Sequence, residues 1–80
     1  MPMQLSIITP EKTLFSAEAD MVTIPGSEGE FGVLPKHAPF ISALRPGTIT
    51  IEAGGKQQKI EVSGGFAEVT PERVTVLASQ

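Results

Sequence analysis

Proline and glycine interrupt this chain so often that a helix has almost nowhere to form. Breaks fall at Thr9-Pro10, Pro25-Gly26, Gly29, Gly32, Pro35, Pro39, Pro46-Gly47, Gly64-Gly65 and Pro71. Proline lacks the N–H that an interior helical turn needs, and glycine loses the most chain entropy when ordered. Only Thr13 to Thr23 has room for three helical turns, and its β-branched and aromatic residues suit strands better. Two short strands, Thr13 to Ser16 and Ala19 to Ile24, are expected there around a kink at Ala17-Glu18.

What lies between the breaks alternates. Leu5 and Ile7, Val22 and Ile24, Ile49 and Ile51, Ile60 and Val62, and Val74 and Val76 repeat at period two with mainly polar residues between them. That is the signature of half-buried strands. Thr48-Ile49-Thr50-Ile51-Glu52 and Lys59-Ile60-Glu61-Val62-Ser63 are the clearest, and Ala53-Gly54-Gly55-Lys56 between them supplies residues that tolerate positive φ. A hairpin from Thr48 to Ser63 follows. Many short strands with regular turns predict an all-β sandwich or barrel, and antiparallel pairing is expected because no helical crossover is available.

Eighty residues make one core, and with 40% hydrophobic residues the chain is apolar enough to fold. No run approaches the roughly 18 apolar residues that cross a bilayer, so membrane insertion is not expected. The absence of cysteine removes disulfides and thiolate metal sites, leaving stability to packing and to partners. A net charge of −3 argues against nucleic acid as a partner, because phosphate backbones are met by clustered Lys and Arg. The first residues, Met1 to Leu5, have neither the cationic start of a secretory signal nor the arginine-rich amphipathicity of a transit peptide, so the chain is expected to stay where it is made.

Catalysis and metal binding find little support. His37 is the only histidine and Asp20 the only aspartate, and none of the six serines sits in a Gly-x-Ser-x-Gly elbow. The carboxylate spacing matches no calcium loop. Gly26-Ser27-Glu28-Gly29-Glu30-Phe31-Gly32 resembles a phosphate cradle only in its glycines. It lacks the following Lys and carries two carboxylates that repel phosphate. It is either a solubilising turn or a polar docking loop in which Glu28 or Glu30 meets a partner cation. His37, between Lys36 and Ala38-Pro39, fits a surface loop whose proline lowers the entropy lost on docking. Ser63-Gly64-Gly65-Phe66-Ala67-Glu68-Val69 lies between strands; its paired glycines allow a sharp reversal or a close backbone approach, with Phe66 expected as a core anchor.

These segments together carry a resemblance. Thr9-Pro10-Glu11-Lys12, Phe15-Ser16, the block from Pro25 to Pro39, Leu44-Arg45-Pro46-Gly47, Ser63 to Val69 and Val74 to Ala78 are similar, in order and over essentially the whole chain, to the N-terminal domain of the bacterial and chloroplast ATP synthase epsilon subunit, called delta in mitochondria. The block Gly26 to Pro39 with Ser63 to Val69 is the specific part. The resemblance implies a flattened antiparallel β-sandwich of about ten short strands spanning residues 1–80. It implies a non-catalytic rotor part, without cofactor, that links the gamma subunit to the polar loops of the c-ring and couples proton transport to ATP synthesis. It places the domain at the cytoplasmic face of the bacterial inner membrane, as a peripheral part of F1. Glu28, Glu30, His37, Ala38 and Pro39 then fall on the ring side. Family members usually continue into a two-helix C-terminal domain; here the sequence stops at Gln80, so inhibition or ATP binding by those helices is not expected of these residues.

A small ligand-binding sandwich, such as a carbohydrate module, is the competing expectation. Such sites usually expose aromatic platforms, whereas this chain has four Phe and no Trp or Tyr. Burial of all four rings would weigh against it. A subunit that docks gamma should instead show exposed Met, Leu, Val or Ile gathered on one face, because a permanent interface resembles a core cut in two.

Overall fold

The computed structural model describes residues 2–36 and 38–80, and among them there are nine strands and no helix. No helix is therefore long and apolar enough to cross a membrane. The strands are β1 (Met3–Ile8), β2 (Thr13–Ala19), β3 (Met21–Gly26), β4 (Gly29–Val33), β5 (Phe40–Leu44), β6 (Gly47–Ala53), β7 (Lys56–Val62), β8 (Gly64–Val69) and β9 (Arg73–Ser79). They form one curled sheet in the order β2-β1-β9-β8-β5-β3-β6-β7, with β4 on the other side of β3. The halves β2-β1-β9-β8-β5 and β4-β3-β6-β7 share a single pair in the strand ladder, Gly26 and Leu44, and the curl carries β2 over β6.

Alternation builds the core. Leu5, Ile7, Val22, Ile24, Val33, Ile49, Ile51, Val69, Val74 and Val76 are fully buried, and no polar or charged residue is buried among the described ones. Each contributes one face of a strand to the same interior, as period two requires. The passage between the halves is a bent strand. Leu44 pairs with Gly26 and Thr50 with Thr23, so the five residues between Leu44 and Thr50 lie opposite only Ile24 and Pro25 of β3. The excess bulges out around Pro46, which has no N–H to lose from the ladder.

The hairpin read from Thr48 to Ser63 is present as β6 and β7, with Ala53 paired to Lys56 across Gly54-Gly55. Both glycines have positive φ, at 59° and 79°, as a tight two-residue hairpin turn demands. Asp20 fastens this turn from outside: its Oδ2 accepts the Gly54 N–H at 3.1 Å.

The nine strands agree with the all-β fold of about ten short strands expected, and three other expectations need correction. The β1–β9 pair is parallel, Leu5 lying beside Val74 and Ile7 beside Val76. No helical crossover is needed, because almost the entire chain forms the connection between them. The break expected at Ala17-Glu18 falls at Asp20: β2 runs on through Ala17 and Glu18 paired with Leu5 and Gln4, and the Asp20 N–H then bonds to the Glu52 carbonyl of the other half. Finally, Gly64-Gly65 does not reverse the chain but lies in β8, paired with Ser79 and Ala78. It serves the close approach instead: a Cβ on Gly65 would collide with the Leu77 carbonyl oxygen. Phe66 consequently points away from the core and is 57% exposed.

Candidate docking surfaces

Two surfaces differ in chemistry. The first comprises the loops that β5 separates. Glu28 sits in the β3–β4 turn, held by the Ser27 N–H donating to the Ala43 carbonyl at 2.8 Å, and Glu30 lies just inside β4 opposite Pro25. Ala38 and Pro39 precede Phe40 at the start of β5; His37 lies outside the described residues. Glu28, Glu30, Ala38 and Pro39 are all exposed. Measured along β5, the two loop attachments at Ala43 and Pro39 are about 13 Å apart. The structure thus brings these residues to the two ends of one short strand rather than into a pocket.

Both loops are stiffly mounted. Phe31 of β4 and Phe40 of β5 meet edge-on, with ring centroids 5.3 Å apart, tying the two attachments together beneath the surface. Lys36 adopts φ of 67° and donates its N–H to the Pro71 carbonyl at 2.8 Å, which pins the loop to the β8–β9 turn. A side-chain-bearing residue in that conformation costs about 1–2 kcal/mol, so its surroundings must impose it.

The second surface is the outer face of β1, β9, β8 and β5. Register aligns Ile8 with Leu77, Leu77 with Phe66, and Phe66 with Ala43, giving an unbroken apolar row across four strands. Leu77 is 55% exposed and Ile41, two residues from Ala43, is 69% exposed. Hollows of about 370 and 230 Å³ lie on either side of the Phe66–Leu77 pair, the larger walled by Thr9, Pro10 and Gly65. The opposite outer face, on β6 and β7, is polar: Thr48, Thr50, Glu52, Lys59 and Glu61 point outward, and the Thr48 hydroxyl donates to Glu61 at 2.6 Å.

Of the large hydrophobic side chains exposed among the described residues, Ile41, Phe66 and Leu77 gather on this face, while Leu34, 56% exposed, stands apart in the β4–β5 connection. Of the four rings, Phe15, Phe31 and Phe40 are half-buried against the core and only Phe66 is exposed, so no aromatic row exists for a sugar. Asp20 is engaged at the β6–β7 turn rather than in a catalytic group, and no cluster of metal-ligating residues occurs among the described ones. Sequence alternation did carry a signal for the apolar face. Ile7-Ile8, Phe66-Ala67 and Val76-Leu77-Ala78 are adjacent apolar residues within strands, and each such neighbour pair must turn one member outward.

Residues 2–80 match the family described as ATP synthase, Delta/Epsilon chain, beta-sandwich domain. Among curated proteins, the ATP synthase epsilon chain of Bradyrhizobium sp. (strain BTAi1) is 56% identical over 72 residues, covering 90% of this chain and 53% of that protein. That of Desulforamulus reducens is 53% identical over 75 residues, covering 94% and 57%. The chain thus spans little more than half the length of the relatives it matches. Among solved structures, a chain of the Euglena gracilis mitochondrial ATP synthase, OSCP/F1/c-ring, superposes with a TM-score of 0.92 at 29% identity over 99% of this chain and 51% of that one. A chain of the Tetrahymena thermophila central stalk/c-ring superposes at 0.82 with 15% identity, covering 100% and 65%, a likeness of fold alone.

Proposed function

Because the chain belongs to the β-sandwich family of the ATP synthase delta/epsilon chain, we propose that it is a non-catalytic part of the central stalk, joining the gamma subunit to the c-ring. Proton-driven rotation of the ring then reaches catalytic sites that lie on other chains. The role suits a small domain whose interior is wholly apolar and close-packed, since such a body passes torque with little internal deformation. It works as a peripheral part of F1, on the cytoplasmic face of the membrane in bacteria.

The observation that carries this reading is the apolar row Ile8–Leu77–Phe66–Ala43 with Ile41 beside it. Covering Phe66, Leu77 and Ile41 contributes about 1 kcal/mol or more for each, enough to anchor a standing interface. The gamma subunit is its occupant. Glu28, Glu30, His37, Ala38 and Pro39 meet the polar loops of the ring, where carboxylates on stiff mounts make charge-assisted hydrogen bonds without first being ordered.

Titration of the chain against gamma, followed by size-exclusion chromatography with light scattering, tests the first contact. A stable one-to-one complex that Phe66→Asp abolishes is the expected result. Absence of a complex, with the same gamma binding a full-length epsilon chain, overturns it. For the second contact, Glu28→Lys and Glu30→Lys in the assembled complex should reduce proton pumping per ATP hydrolysed while leaving gamma binding intact.

A further inference from the structure

The apolar face has one ionisable side chain set directly against it. Glu68 on β8 points outward two residues after Phe66, between Ile41 of β5 and Thr75 of β9 in register. Its carboxylate is exposed and has no ion-pair or hydrogen-bond partner among the described residues. Arg73, two residues before Thr75, is only a diagonal neighbour across the ladder, and the two do not pair.

A subunit laid over Phe66, Leu77 and Ile41 also reaches Glu68, which stands next to Ile41 in the row of side chains alongside Ala43, Phe66 and Leu77. Removing a carboxylate from water with nothing opposite it costs about as much as the apolar contacts supply. The interface holds only if the carboxylate is met. Resting on the docking face proposed above, we propose that the partner presents an Arg or Lys opposite Glu68. The occupant is thus a protein surface with an apolar ridge about 14 Å long, the width of four strands, and a cation about 7 Å to one side of it, the distance between alternate residues of a strand. The apolar row supplies affinity. The pair fixes the register in which the ridge lies across the strands, because a shift by one side chain leaves the carboxylate buried against aliphatic groups.

The sign of one substitution tests this. Glu68→Leu removes the charge and enlarges the apolar row; Glu68→Lys reverses the charge. Both side chains face outward, so thermal unfolding of each variant is expected to stay close to that of the parent. Against gamma by isothermal titration calorimetry, Glu68→Leu should weaken binding roughly 30-fold or more and Glu68→Lys further still. Unchanged or tighter binding by Glu68→Leu, with binding still lost on Phe66→Asp, overturns the cation and leaves the docking face standing. Unchanged binding by Phe66→Asp overturns the docking face, and the cation with it.

Discussion

Replacing Gly65 by alanine tests the most unusual contact in the fold. At this position φ is +129°, and the added Cβ would collide with the Leu77 carbonyl oxygen and stand 3.0 Å from the Ala78 Cα. Both are backbone atoms, so no side chain can swing aside, and β9 must retreat by more than 1 Å to restore ordinary contact. The conformation alone costs an L-residue about 1–3 kcal/mol. Parting β8 from β9 weakens one or two ladder hydrogen bonds at about 1 kcal/mol each. The sum, about 2–5 kcal/mol, is a large share of the 4–12 kcal/mol or so expected for a chain of this size. Gly29 provides a matched control: its φ of +138° is similar, yet nothing lies within 4 Å of its Cβ position. Gly29→Ala therefore meets the conformational cost without the collision. Urea and thermal unfolding followed by circular dichroism should show Gly65→Ala melting roughly 15–30 °C below the parent and well below Gly29→Ala. Equal destabilisation by the two substitutions would refute the close approach of β8 and β9, and with it the account of why a glycine stands there.

Ile49→Ala, at a fully buried site, should cost about 2–5 kcal/mol in urea unfolding, whereas Ile41→Ala on the outer face should change stability by under about 0.5 kcal/mol yet weaken gamma binding. Asp20→Ala removes the acceptor of the Gly54 N–H; about 1 kcal/mol of stability should go, and hydrogen exchange should accelerate selectively at the β6–β7 turn. Replacing Gly54-Gly55 by Asn-Gly should be nearly neutral, since asparagine tolerates the positive φ, while Ala-Ala should destabilise the hairpin by about 2 kcal/mol in the same assay.

Much of the site's chemistry was legible and little of its geometry. Glycine and proline mark Glu28, Glu30, Ala38 and Pro39 as loop residues in the sequence; all four are exposed, Glu28, Ala38 and Pro39 between strands and Glu30 at the second position of β4. Phe66 was misread as a core anchor. The reason is local: Gly64-Gly65 is compatible in sequence with either a reversal or a close backbone approach, and only pairing with Ser79 and Ala78 selects the second, continues the strand and turns the ring outward. Glu68 drew no notice in the sequence, since one carboxylate in a strand is ordinary until its neighbours across the sheet prove to be Ile41, Thr75 and the apolar row.

Alternation and turn chemistry are properties of a few consecutive residues, so the sequence by itself determined that this protein is built of short strands, which isoleucines and valines turn inward, and that Gly54-Gly55 closes a hairpin. Which strands stand side by side is another matter. The parallel contact of β1 with β9 joins nearly opposite ends of the chain, and the bend of β5 into β6 is fixed by a bulge against β3. Those arrangements follow from how inward faces pack together and how a twisted sheet curls over them, and no local pattern encodes either. The docking face belongs wholly to that second level: Ile8, Ala43, Phe66 and Leu77 become one surface only when four strands from distant parts of the chain lie in register.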